Sequence, residues 1–261
     1  MTLKGNDDLS APRAAECVSP SQIEHDEACQ GHSVAMLASV RNGEEAALCV
    51  SAGVDLIDAK EPRAGALGAV LPDTLRDIRR AVPNSIALSA TIGDDIVDAG
   101  EIALAGQAMA DAGADIVKIG LFEAVDVEAM LQALQPDLSL RRKFVAVLLA
   151  DQALDLTVLS KLSKAGFYGV MLDTVEKASG GLTTCQSPSQ LRQFIDQARG
   201  LGLKAGLAGG LTLQDLPLVL ACKPDIVGFR GALAECKDRS AHIDRTSLQR
   251  VRASIPMVVY N

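Results

Sequence analysis

The chain has 261 residues, 48% of them hydrophobic and 22% charged, which is enough to bury a sizeable core and excludes wholesale disorder. Only 3% are aromatic and none is Trp, so that core must be built mostly from Ala, Val, Leu and Ile. Lys+Arg 25 against Asp+Glu 33 leaves a net charge of −8, which argues against nucleic acid as the main partner while leaving room for a local basic pocket.

Residues 1–32 are polar, acidic and aperiodic, and read as a short, flexible N-terminal extension ahead of one domain over residues 33–261. They carry acids and no apolar h-region, so no secretory signal is expected, and no apolar run reaches the length of a membrane span. The six cysteines include no CxxC pair, which favours free thiols in a reducing cytoplasm. The three histidines form no HxxxH or Cys/His cluster, so a dedicated metal site is not expected.

From Ser33 onward one pattern repeats: a short apolar run, a polar turn, a helical stretch, and another apolar run. The runs are VAMLASV (34–40), VDLIDA (54–59), SIALSAT (85–91), DIVKIGL (115–121), FVAVLLA (144–150), YGVMLD (168–173), LKAGLA (203–208) and DIVGFRG (225–231). Their spacing averages about 27 residues, close to a βα unit of about 30. Short, nearly continuous apolar runs suit parallel strands buried on both faces. Asn42 is placed to cap a helix whose first turn holds Glu44 and Glu45. Gly53, Gly113, Gly166 and Gly202 stand just ahead of strand-like runs, where glycine ends a helix in the left-handed conformation. Eight such units predict a closed (β/α)8 barrel. An open doubly wound sheet is the alternative, but no GxGxxG follows the first strand.

Barrel chemistry sits at the C-terminal ends of the strands. There the sequence offers Arg41 after the first strand, Asp58 and Lys60 at the end of the second, Lys118 within the fourth, Asp173 at the end of the sixth with Lys177 beyond it, and Arg230 after the eighth. Side chains alternate along a strand, so Asp58 and Lys60 share a face. A lysine inside DIVKIGL avoids burying its charge among the helices only by pointing into the barrel mouth; the bland alternative is a structural ion pair with Asp173. Lysines beside aspartates suggest imine chemistry, because burial and a second ammonium favour the neutral amine that attacks a carbonyl. A second amine or carboxylate then moves protons at the adjacent carbon. Ion-pair partnership is an equally good reading of either aspartate. Gly209-Gly210 and Gly231-Ala232, after the last two strands, can turn bare backbone N–H groups toward a phosphate. Arg41 or Arg230 either adds charge to a second phosphate or forms an ion pair at the rim. Residues 177–182, KASGGL, read as a loop that is either a lid, a second phosphate cradle or plain surface.

Several stretches resemble the (5-formylfuran-3-yl)methyl phosphate synthase family, also called 4-(hydroxymethyl)-2-furancarboxaldehyde-phosphate synthase. They are SVRNGEEA (39–46), GVDLIDAKEPRAGALGA (53–69), GADIVKIGL (113–121), GVMLDTVEKASGGL (169–182), GLAGGL (206–211) and PDIVGFRGALAE (224–235). The resemblance spans about residues 34–235, and Asp-x-Lys-Glu-Pro is its most specific part. It implies a cofactor-free lyase, similar to class I aldolases, that condenses two glyceraldehyde 3-phosphates in methanofuran-type cofactor biosynthesis, with loss of phosphate and water. By the same resemblance Lys60 is the Schiff-base lysine and Lys118 the proton acceptor, with Asp173 and Lys177 assisting. The implied partner is a triose phosphate; neither a membrane nor a nucleic acid is expected, and oligomeric state, a homo-oligomer included, stays open.

Two rivals remain. One is another phosphosugar barrel, such as an aldolase, epimerase or decarboxylase. Decarboxylases with Asp-x-Lys-x-x-Asp are disfavoured because Arg63 stands at the second Asp, and metal-dependent epimerases need strand-end histidines that are absent here. The other rival is a non-catalytic barrel that binds a phosphometabolite.

Overall fold

The computed structural model describes residues 33–94, 96–175 and 180–256. Among them eight parallel strands close into a barrel in sequence order, with the last hydrogen-bonded back to the first. They are β1 (Ala35–Val40), β2 (Leu56–Ala59), β3 (Ala87–Thr91), β4 (Ile116–Leu121), β5 (Lys143–Leu149), β6 (Gly169–Asp173), β7 (Lys204–Leu207) and β8 (Ile226–Phe229). The (β/α)8 class expected from the repeating pattern is the observed one. The extension expected over residues 1–32 and the predicted site residue Lys177 lie outside the described residues.

Nine α-helices are described: α1 (Gly43–Ser51), α2 (Pro72–Ala81), α3 (Ala99–Asp111), α4 (Val127–Ser139), α5 (Val158–Ala165), α6 (Leu182–Cys185), α7 (Pro188–Gly200), α8 (Leu216–Ala221) and α9 (Arg245–Ala253). The helix ends are written locally. The Asn42 carboxamide accepts from the Glu45 backbone N–H, and Asp98, Asp126 and Asp244 cap α3, α4 and α9 in the same way. Gly53, Gly113, Gly166 and Gly202 all have positive φ, so the recurring glycine closes each helix before the next strand. None of the described helices is long and apolar enough to cross a membrane.

The strands alternate strictly. Outward residues such as Met36, Ile57, Leu88, Val117, Phe144 and Val170 pack beneath the helices in one large core. Inward residues Leu37, Leu56, Ile116, Val145 and Met171 fill the lower barrel in a second, smaller one. The interior is tight on the β6–β8 side, where a Cβ added at Gly228 would come within 3.1 Å of Met171 Cε. A low-aromatic sequence suits a lumen packed with aliphatic side chains and one methionine. Above this apolar floor the inward positions turn polar. Ser39, Asp58 and Ser89 lie side by side in register across β1, β2 and β3, and Thr91 pairs in register with Lys118.

Candidate functional site

Two buried ion pairs occupy the upper lumen. The Lys118 Nζ stands 3.0 Å from Asp58 Oδ1, and the Lys60 Nζ stands 3.1 Å from Asp173 Oδ2. All four side chains are at most 6% exposed. Alternation along the strands produces this convergence: positions 58 and 60 share the inward face of β2, while 118 and 173 are inward on β4 and β6. Lys118 therefore pairs with Asp58, not with Asp173 as the ion-pair reading of the sequence had it. Asp58 is fully buried and accepts from Ser39 Oγ at 2.9 Å and Ser89 Oγ at 2.6 Å besides Lys118. These hydroxyls, which sequence reasoning passed over, are supplied by the two flanking strands; their signal is a polar residue at an inward position of β1 and of β3. Asp173 Oδ1 accepts from the Thr174 backbone N–H, leaving Oδ2 for Lys60.

Both lysines and Asp173 open into a cavity of about 450 Å³ at the C-terminal end of the barrel. Gly209, Gly210, Gly231 and Ala232 form part of its wall. Gly209 and Gly210 have φ of +104° and +61°, and a Cβ on Gly209 would lie 2.9 Å from the Thr174 backbone nitrogen. Only glycine fits that position. Neither glycine donates a main-chain hydrogen bond to another described residue. The Thr174 hydroxyl beneath them is buried and without a hydrogen-bond partner. Main-chain N–H groups that donate to no other described residue, with little side chain in the way, suit an anion.

The arginines behave differently from the phosphate-binding reading. Arg41 is not part of the cavity wall; its guanidinium lies 2.9 Å from Glu45 and donates to the Ser240 carbonyl at 2.7 Å. Arg230 touches the cavity but is committed to Glu45 at 2.6 Å and to the carbonyls of Ser39, Arg239 and Ala241. Both are therefore rim ion pairs on one shared carboxylate. Burial works to raise the Glu45 pKa; the Arg230 guanidinium, with Arg41, overrides it and holds the carboxyl below the ordinary value of 4.5. Neither the acid nor the shared clamp is visible from spacing, because Glu45 and Arg230 are 185 positions apart.

Cations that sequence reasoning missed complete the wall: Lys237 and Arg239 between β8 and α9, and Arg250 in α9. The sequence signal for Lys237 and Arg239 is the charged run Glu235-Cys236-Lys237-Asp238-Arg239 after the eighth strand. Among the described residues no group of three or more His, Cys, Asp or Glu is arranged to hold a metal. Cys49, Cys185, Cys222 and Cys236 are free thiols, and burial pushes the Cys49 thiol up to about 12.

A protein-family model described as 4-HFC-P synthase matches residues 36–252 of the chain. Among curated proteins, the (5-formylfuran-3-yl)methyl phosphate synthase of Methanocaldococcus jannaschii is 34% identical over 83% of this chain and 97% of its own. The protein of the same name from Methanosarcina mazei is 33% identical over 84% of this chain and 97% of its own. Solved structures share the fold at low identity. Phosphoribosyl anthranilate isomerase from Thermotoga maritima has a TM-score of 0.61 at 16% identity, covering 83% of this chain and 95% of that one. A 3-hexulose-6-phosphate synthase has a TM-score of 0.60 at 18% identity, covering 85% of this chain and all of that one.

Proposed function

The chain belongs to the 4-HFC-P synthase family, and on that premise we propose that it condenses two molecules of glyceraldehyde 3-phosphate into (5-formylfuran-3-yl)methyl phosphate through an imine on Lys60, as a step in methanofuran-type cofactor biosynthesis. The observation that carries this reading is the Lys60 Nζ, buried in the cavity wall and set against a carboxylate from the far side of the barrel. Strands β2 and β6 are four apart in the closed order, so the pair spans the lumen.

In this reading Asp173 takes a proton from the Lys60 ammonium, and the free amine adds to the carbonyl carbon of one triose phosphate. Water leaves and an iminium forms, which acidifies the neighbouring C–H. A base removes that proton to give an enamine. Lys118 serves as this acceptor once Asp58 has taken the proton from its ammonium. Phosphate leaves the second triose by C–O cleavage, the enamine carbon bonds to the terminal carbon that carried it, the neighbouring oxygen of that triose closes on the regenerated iminium carbon, and loss of water and of the Lys60 amine gives the furan, so that the two trioses together release one phosphate and two waters. The cradle of Gly209 and Gly210 orients one phosphate without a side chain. The site is a lyase centre in which positioning and proton transfer do the work.

Borohydride reduction in the presence of glyceraldehyde 3-phosphate, followed by peptide mass mapping, tests the assignment. A triose adduct on Lys60, absent from a Lys60→Ala protein that makes no furan, is the expected result. Furan formation with no adduct at Lys60 would sink the imine.

A further inference from the structure

The cavity is far more cationic than the molecule around it. Among the described residues six cationic side chains and one carboxylate line it, in a chain whose net charge is −8. Three of those cations are answered: Lys60 by Asp173, Lys118 by Asp58 and Arg230 by Glu45. Lys237, Arg239 and Arg250 have no ion-pair partner among the described residues. Uncompensated positive charge gathered on one wall of a cavity is what an anionic ligand balances.

The segment that carries these groups is held in place from several directions. Cys236 and Lys237 both adopt the left-handed conformation, with φ of +52° and +60°, although neither is glycine. Such backbone persists only where its surroundings fix it. The carbonyls of residues 239–241 are each gripped by a guanidinium: Arg230 Nε donates to Arg239 O at 2.8 Å, Arg41 Nη1 to Ser240 O at 2.7 Å, and Arg230 Nη2 to Ala241 O at 2.5 Å. Glu45 fixes both guanidiniums in turn. Arg239 then reaches across to donate to the Gly65 carbonyl at 2.6 Å, in the loop that leaves Lys60.

We propose that Lys237, Arg239 and Arg250 form a second anion subsite, which takes the phosphate monoester of one triose while the backbone donors at Gly209 and Gly210 take that of the other. This rests on the two-triose reading above. The two subsites differ in kind: one offers neutral N–H groups, the other formal positive charge. Arg41, Glu45 and Arg230 act on it as positioning residues through the carbonyls of residues 239–241.

Inorganic phosphate is the probe. Isothermal titration of the full chain at constant ionic strength is expected to show two equivalents bound to the wild type. An Arg239→Gln/Arg250→Gln protein should keep one equivalent and bind the other roughly tenfold or more weakly. Lys237→Gln, a change at an exposed side chain, should weaken the same equivalent by about threefold and carries the test if the double variant does not fold. Unchanged binding in both variants, fewer than two equivalents on the wild type, or loss of both equivalents together in a folded variant overturns the subsite. Borohydride trapping separates this from the reading it rests on. A variant that still forms the Lys60 adduct with glyceraldehyde 3-phosphate but makes furan about tenfold more slowly fails only at the second triose. If even the wild type forms no adduct, the imine falls and the phosphate titration still decides the subsite.

Discussion

Asp58 is the residue on which the deep end of the site depends. It is fully buried and gathers a lysine and two serines on its two oxygens. An Asp58→Asn change leaves the Lys118 ammonium buried without its counter-charge, and should cost roughly 3–5 kcal/mol of folding stability in urea unfolding. The Ser89→Ala change removes one donor and leaves the pair intact, so it should cost about 1 kcal/mol. Glu45 governs the rim. Its carboxyl titrates below 4.5 in the folded chain, so the ionised form contributes stability above that pH, and the contribution disappears as pH falls through the folded value. A Glu45→Gln protein should therefore be less stable than wild type by about 3 kcal/mol at neutral pH, with the gap closing only below about pH 4.5. A gap that stays constant from pH 7 to about pH 3.5 would remove the carboxylate's charge from the account.

At the scale of single elements, the strand-end loops divide into those set by glycine and those set by side chains. The β7–α8 loop belongs to the first kind. Gly209→Ala puts a methyl 2.9 Å from the Thr174 backbone nitrogen at φ +104°. The variant should lose about 2 kcal/mol or more of stability and bind inorganic phosphate less tightly, both readable in one titration series. The β8–α9 segment belongs to the second kind, and this is where sequence reasoning fell short. The strands, the caps and the inward lysines follow from short-range rules, because a period of two and a left-handed glycine are written within a few residues. The roles of Arg41 and Arg230 depend on Glu45, which spacing along the chain does not connect to position 230, and on left-handed backbone at Cys236 and Lys237, where no glycine announces it. Alternation put Lys118 in the lumen but was silent on which aspartate would meet it, since that is settled by the depth of each side chain and not by its face.

For the whole molecule the contrast of charge matters most. In a chain of net charge −8 the cavity is lined, among the described residues, by six cationic side chains, so for the proposed anionic substrate attraction at the cavity works against repulsion from the rest of the chain. Raising ionic strength from about 0.05 M to about 0.5 M should raise KM for glyceraldehyde 3-phosphate several-fold with kcat changed by less than about twofold. A salt-independent KM would mean that the mouth cations stay out of substrate capture. The barrel itself was legible because eight copies of one unit reinforce each other, and a mistake in any one boundary leaves the count unchanged.

The bond from Arg239 to the Gly65 carbonyl joins two places 174 positions apart, and the partner of Lys60 comes 113 positions after it. A chain emerging from the ribosome thus exposes the amine at position 60 long before its carboxylate exists, and longer still before the final loop roofs it. If Lys60 carries the proposed imine, a nascent chain halted before position 173 lacks the proton acceptor of that amine and should trap far less glyceraldehyde 3-phosphate than the finished chain.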